Sequence, residues 1–334
     1  EMLTRDWSSD VCSSDLELSA RITNDTIAEH REKVLAKGRR HKYPVQYTKH
    51  RLVWVTAIVS FIVLILFAAA VWLQLYVWRD TSDLAYRIVR IAPLPVASID
   101  GEQAKYSDYL LYHRSTLAVL KSQGQADQKD KVKFYQQQSI DKALEVAYAQ
   151  KLAREQNVSI DENKIHDLMK QQREASKLSE AAYESVVSDN LHWSMEELRT
   201  AMRYTLLKQE VSFAVDKEAK EISDQVAKKI SSGVSLSDIA NELGSKVQFV
   251  PDLSVSKNNA DGGLTKAALV LEKGKTSGVI KTLSGDGYYY VTLNSTENDT
   301  VNYSYIKIPL NAFRQQFNDL KKNNKVTYYI SIES

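Results

Sequence analysis

Residues Leu52 to Trp78 read LVWVTAIVSFIVLILFAAAVWLQLYVW, an uncharged apolar stretch interrupted only by Thr56, Ser60 and Gln74. At roughly 1.5 Å per residue a helix of this length reaches about 40 Å, enough to cross a hydrocarbon core of about 30 Å with some tilt. The stretch predicts one transmembrane helix. Trp54 near one end, and Trp72, Tyr76 and Trp78 near the other, are expected to seat their rings in the two headgroup layers. Upstream lie Arg31, Lys33, Lys37, Arg39, Arg40, Lys42, Lys49 and Arg51, whereas Arg79 is followed at once by Asp80 and Asp83. The positive-inside rule then places 17–51 in the cytoplasm as a basic tail and everything beyond 78 outside it. The basic run could also meet anionic lipid or nucleic acid, but topology alone accounts for it. The long charged region before the helix argues against a cleaved signal peptide.

Composition bounds the remainder. A formal net charge of +2 gives no global field that would recruit a nucleic acid, and none is expected as a partner. Only 11 glycines and 5 prolines beside 26% charged residues point to a helix-rich, water-exposed chain. Residues Asp6 to Leu16, DWSSDVCSSDL, are aperiodic and resemble a common short-read sequencing adaptor translated in frame, so 1–16 reads as an artefact. Cys12, the one cysteine, falls within it, so no disulfide, thiol catalysis or thiolate metal site is expected.

Beyond the membrane helix, 79–94 reads as a linker stiffened by Pro93 and Pro95. Asp100-Gly101 marks a hairpin turn. Ser107 is expected to cap a helix to about Lys121, and Ser139–Gln156 carries Ile140, Ala143, Leu144, Ala147 and Leu152 on one face. Ser159 with Glu162, and Ser194 with Glu197, spell capping boxes, and Ser179 caps a short helix between them. The fold class is therefore mostly α, a helical domain over 95–215 followed by a small α+β domain over 216–334.

PVASIDGEQAKYSDYL followed by SIDKALEVAYAQKLAREQNVSIDENKIHDLMKQ resembles the N-terminal chaperone domain of the SurA, PrsA and PpiD group of extracytoplasmic bacterial foldases, over about 95–215. An outward-facing body behind a single anchor is similar to the PpiD arrangement. The next segment resembles a parvulin-type prolyl isomerase domain, with Gly233-Val-Ser-Leu-Ser-Asp-Ile-Ala240, Leu271-Glu-Lys-Gly-Lys-Thr-Ser277 and Gly287-Tyr-Tyr-Tyr-Val291 at the places of that family's motifs. Two departures bear on chemistry. The histidine of the family's last strand is Tyr289 here, and the opening strand that carries another histidine has no counterpart before Lys217. The family's glycine-rich stretch near the substrate proline is compressed to Asp261-Gly262-Gly263-Leu264.

Prolyl isomerisation has a barrier of roughly 20 kcal/mol, and its catalyst must hold a twisted amide with oriented hydrogen bonds. The resemblance, with its histidines missing, implies weak or lost isomerase activity, leaving Tyr289 and Tyr305 as the catalytic candidates. Val301–Ile308 alternates like a strand and is expected to pair back on Tyr288–Leu293, with Tyr305 near the lost histidine's place. Tyr288, Tyr290 and Leu264 are the candidate peptide-binding residues, although a tyrosine run is equally natural in a half-buried strand. Asn311 is expected to cap a helix to Asn323, before a last strand over Val326–Ile332.

Rival motifs are weaker. Ser139-Ile-Asp-Lys142, Ser188-Asp-Asn190 and Lys275-Thr-Ser-Gly278 mimic the boxes of penicillin-binding enzymes, but the third has an inserted serine and the α-rich context lacks their sheet. The histidines have no metal-ligand spacing, so neither metal nor cofactor is implied. The expectation is a bacterial, single-pass membrane chaperone whose partners are the membrane and unfolded or nascent exported polypeptides, gripped in an apolar groove between its two outer domains. An active isomerase and a structural assembly subunit of a membrane complex are the alternatives.

Overall fold

A computed structural model of the chain describes residues 23–42, 44–282 and 285–330. The presumed adaptor segment with Cys12, and the end of the last expected strand, lie outside them. The chain divides into two compact units, Glu1–Trp72 and Leu73–Ser334.

The first unit contains α1 (Asn24–Lys42), a largely polar helix, and α2 (Pro44–Trp72). From Leu52 onward α2 is apolar on every side, and side chains as large as Phe61 and Leu64 are each 64% exposed. A helix greasy all round belongs in lipid or in the core of a large protein, and among the described residues nothing in its own unit covers it. With the π-helical turn Leu73–Val77 that continues it, the helix runs His50–Val77, the one stretch among the described residues long and apolar enough to span a membrane.

The second unit opens with α3 (Asp83–Ile91) inside the stretch expected to be a linker. Pro93 and Pro95 end it, but Ser82 starts it, its Oγ accepting from the Ala85 N–H at 3.2 Å. Strands β1 (Pro95–Ile99) and β2 (Glu102–Lys105) form the expected hairpin. Asp100 (φ 49°) and Gly101 (φ 80°) are both left-handed, the twist that a two-residue hairpin turn needs.

Helices α4 (Tyr106–Ser122), α5 (Lys129–Glu155), α6 (Glu162–Ala175), α7 (Glu180–Leu191) and α8 (Met195–Val215) follow. Three starts differ from expectation. Ser107 caps nothing, since α4 begins at Tyr106 without a side-chain cap. Helix α5 begins at Lys129 rather than Ser139; its buried residues do begin at Ser139, but the exposed stretch before them has no glycine or proline to stop it. The α6 cap is Asp161, which accepts from the Asn163 N–H at 2.9 Å. Glu162 closes no box there and instead accepts from Arg199 and Arg203 on α8, at 2.9 Å each. Ser179 and Ser194 cap as expected, the latter in a full capping box with Glu197.

Then come α9 (Lys217–Ser231), α10 (Leu236–Leu243), β3 (Gln248–Ser256), α11 (Leu264–Leu269), β4 (Ile280–Lys281), β5 (Gly287–Thr296), β6 (Thr300–Pro309), α12 (Ala312–Lys322) and β7 (Val326–Tyr328). Strands β5 and β6 pair antiparallel, Tyr288 opposite Ile308 and Leu293 opposite Tyr303, as the alternation of Val301–Ile308 requires. They are the centre of a four-stranded sheet ordered β3-β6-β5-β4. Pro251 falls in β3 at the irregularity between Val250 and Leu253, an edge position where its missing N–H costs no ladder bond.

The sheet is covered on both faces. Tyr288, Tyr290, Ile306 and Ile308 join Ile222, Val226 and Ile239 of α9 and α10 in one core. Tyr289, Val291, Leu293, Val301 and Tyr303 join Leu264 and Ala268 of α11 in another. Strand β7 leaves this sheet and pairs with β1, making a three-stranded sheet ordered β2-β1-β7.

Candidate functional site

A period of two puts neighbouring strand residues on opposite sides, which separates the tyrosine run. Tyr289 meets Tyr305 on the α11 side with ring centroids 5.8 Å apart. Its hydroxyl donates to Asp286 Oδ2 at 2.9 Å, Thr282 Oγ1 donates to Oδ1 of the same carboxylate at 3.1 Å, and Lys307 forms an ion pair with it. Lys307 Nζ also lies over the Tyr289 ring, 5.6 Å from its centroid. Burial, and then the hydrogen bond to an anion, push the Tyr289 phenol well above its ordinary range. The arrangement keeps that proton on tyrosine and commits it to Asp286.

Tyr288 and Tyr290 point the other way. The Tyr288 ring stands edge-on to Phe213 at 4.9 Å, and the Tyr290 hydroxyl donates to the Ser223 carbonyl at 2.9 Å. Tyr288, Tyr290 and Leu264 are 5%, 2% and 5% exposed, so all three are core residues in this conformation and present no stacking face. The four tyrosines singled out by sequence thus share one small sheet, and Leu264 sits on the helix that covers it, but the five do not form one surface.

The helical bundle meets the sheet side of the body at Gly285, and a cleft of about 190 Å³ lies there among Tyr112, Lys142, Glu145, Tyr204, Lys208 and Gln209. Lys208 pairs with Glu145 at 2.7 Å, and Gln209 Nε2 donates to the Thr282 carbonyl at 2.8 Å. Charge and small volume set this cleft apart from the apolar trough expected between the domains.

A wider groove of about 580 Å³ opens between α4, α7 and the start of α3. Leu117, Ala118 and Trp193 are its apolar lining, and Thr81, Asp83, Arg114, Glu184, Ser188, His192 and Ser194 line the rest, which is the larger, polar part. Trp193 is fixed by its indole N–H, which donates to the Leu111 carbonyl at 2.8 Å. Arg114 binds Asp83 and Glu197, the latter at 3.0 Å, and stacks over Tyr86 at 4.4 Å. These contacts join α3, α4 and α8 into a rigid wall.

The serines and lysine of the penicillin-binding mimicry sit apart from a common site: Ser139 Oγ donates to the Tyr135 carbonyl at 2.8 Å within α5, Ser188 lies on α7, and Lys275 precedes β4. Among the described residues no group of three or more His, Cys, Asp or Glu side chains is placed to hold a metal ion. No family model matches the chain, and comparison with curated proteins and with solved structures finds no match either.

Proposed function

We propose that the chain is a membrane-anchored extracytoplasmic chaperone that binds unfolded segments of exported polypeptides, with its body beyond Trp78 on the outer side. The groove over Leu117, Ala118 and Trp193 carries this reading. It is open, holds a fixed indole beside Leu117 and Ala118, and is otherwise polar with charges of both signs, which suits many side chains poorly rather than one well. Each apolar side chain buried there contributes roughly 1.5–3 kcal/mol before ordering costs are subtracted, so binding of a mobile segment is weak and tolerant of sequence. The hairpin, the capped helices and the anchor in front of them support kinship with SurA- and PpiD-like foldases, in the order that the resemblance implies. Isomerase catalysis has less support, since the Tyr289 hydroxyl is already engaged by Asp286.

The test is suppression of aggregation of a chemically unfolded client by the full chain in lipid nanodiscs. Wild-type protein is expected to suppress light scattering, and Leu117→Glu with Ala118→Glu to lose most of that effect while keeping its helical circular dichroism. No suppression by wild type defeats the proposal. A photo-crosslinker at Leu117 that captures one dominant partner in cells, rather than a spread of exported chains, would instead favour a structural assembly subunit. Accelerated proline-limited refolding that Tyr289→Phe abolishes would restore the enzyme.

A further inference from the structure

Helix α3 is apolar on two opposite sides. Ala85, Tyr86 and Val89 face the body and are 0%, 8% and 1% exposed. On the opposite side Leu84, Ile88 and Ile91 follow helical spacing, and Leu84 and Ile91 are 60% and 86% exposed. Arg87 lies on that outward side and Arg90 flanks it, its guanidinium 5.9 Å from the Tyr86 ring. A stripe of this kind on a charged helix calls for a covering surface.

The chain itself indicates which. The apolar helix ends at Val77, a few residues before α3 begins, and its last turn is fastened to the body. Leu75 is 1% exposed, and its carbonyl accepts from the Tyr106 hydroxyl at 2.7 Å. The Tyr76 hydroxyl, expected from sequence to sit among headgroups, donates to the Pro95 carbonyl at 2.7 Å. Asp80 accepts from the Gln74 side chain, and its two oxygens take the Ser82 N–H and Oγ–H at 2.8 Å each. Ser82 is the α3 cap, so hydrogen bonds run unbroken from the end of the apolar helix to the start of α3.

We propose that α3 lies in the membrane interface, with Leu84, Ile88 and Ile91 in the boundary between headgroups and acyl chains and Arg87 on the phosphates of anionic phospholipids. The inference rests on His50–Val77 spanning the bilayer. Given that, the short connection from Val77 to Asp83 keeps the stripe within reach of the headgroups, where interfacial helices bury their apolar side about 5–10 Å and basic residues add attraction to anionic lipid. A body pressed to the bilayer in this way has one face withdrawn from its partners.

Full-length chains with Cys12→Ser and a single new cysteine at Leu84, Ile91, Ile62 or Lys228 would carry an environment-sensitive dye. They would be reconstituted in nanodiscs of phosphatidylethanolamine and phosphatidylglycerol, with nitroxide lipids as quenchers. Dyes at positions 84 and 91 are expected to shift to the blue and to lose most of their emission to shallow nitroxides; that at 62 loses it to deep ones, and that at 228 keeps it. Unquenched dyes at 84 and 91 beside a quenched one at 62 overturn the interfacial placement but not the anchor. A blue shift there without lipid quenching also overturns it, and means that a second copy or another protein covers the stripe. An unquenched dye at 62 removes the anchor and the inference together.

Discussion

The Asp216 carboxylate reaches across the body to Asn311, accepting its backbone N–H at 2.7 Å. The same Oδ2 takes the Ala312 N–H at 3.0 Å, while Oδ1 takes the Ala219 N–H at 3.0 Å. One side chain therefore caps α9, which it precedes, and α12, which begins far along the chain. Asn311 was expected to cap α12 with its own side chain and makes no such bond. Both helix starts favour a negative charge, and Asp216 is only 6% exposed.

Asp216→Ala leaves three backbone donors, one buried and two part-buried, short of a partner. A single cap is worth about 1 kcal/mol, and shared burial raises the loss to roughly 2–4 kcal/mol. Urea unfolding of the full chain in mild detergent measures it. A loss no larger than that of an exposed control such as Ser235→Ala, a cap that serves one helix, would show that the two ends do not share Asp216.

Gly287 is required by proximity rather than by its backbone angle. A Cβ there would lie 2.5 Å from the Ile308 carbonyl oxygen, which belongs to the neighbouring strand and cannot swing aside. Gly287→Ala is expected to push β5 from β6 and to destabilise the sheet by about 1–3 kcal/mol. Hydrogen exchange of the β5 and β6 amides should quicken selectively, and unchanged exchange would refute the contact.

The features legible in the sequence were those written in neighbouring residues. The apolar run, the serine caps at 179 and 194, the Asp100-Gly101 turn and the alternation that pairs β6 with β5 all depend on short spacings. Features set by distant partners were not. Helix α3 hides behind two prolines, and Pro251 disguises β3 because an edge strand tolerates what a central strand does not. The strand period puts Tyr288 and Tyr289 on opposite faces, but that α9 and α10 bury one face while α11 buries the other is a tertiary fact. Likewise the groove exists because α7 returns beside α4, which no local pattern records.

The closing strand has an effect at the other end of the body. Tyr329 N–H donates to the Val96 carbonyl at 3.0 Å, Asp100 N–H donates to the Lys325 carbonyl at 2.9 Å, and Ile330 is 1% exposed. Ending the chain after Asn324 strips β1 of one neighbour and removes a buried isoleucine, itself worth roughly 1.5–3 kcal/mol. Limited proteolysis should then cut within 95–105 sooner than in the full chain. Equal resistance there would mean that α4 and α5 alone secure the hairpin.

His113 links stability to acidity. It is 4% exposed, stacked on Tyr109 at 5.0 Å with Nδ1 unpartnered, and burial pulls its imidazole down to about 4. An unfolded histidine titrates near 6.5, so between about 6.5 and 4 the unfolded chain takes up a proton that the folded chain refuses. Stability is therefore whole above that window, falls as pH drops through it and stops falling below about 4, a swing of at most about 3 kcal/mol at 1.36 kcal/mol per unit. Asp108, five residues earlier on the same helix, works in the opposite sense. Burial raises its carboxyl, against the hydrogen bond from the Tyr204 hydroxyl, so the folded state accepts that proton first and acid relieves its cost. Only a comparison isolates the imidazole. Urea midpoints of wild type and His113→Phe, taken from pH 7 to 4, should diverge as pH falls, with the variant losing less; parallel curves would show that His113 takes its proton in the folded state as readily as in the unfolded.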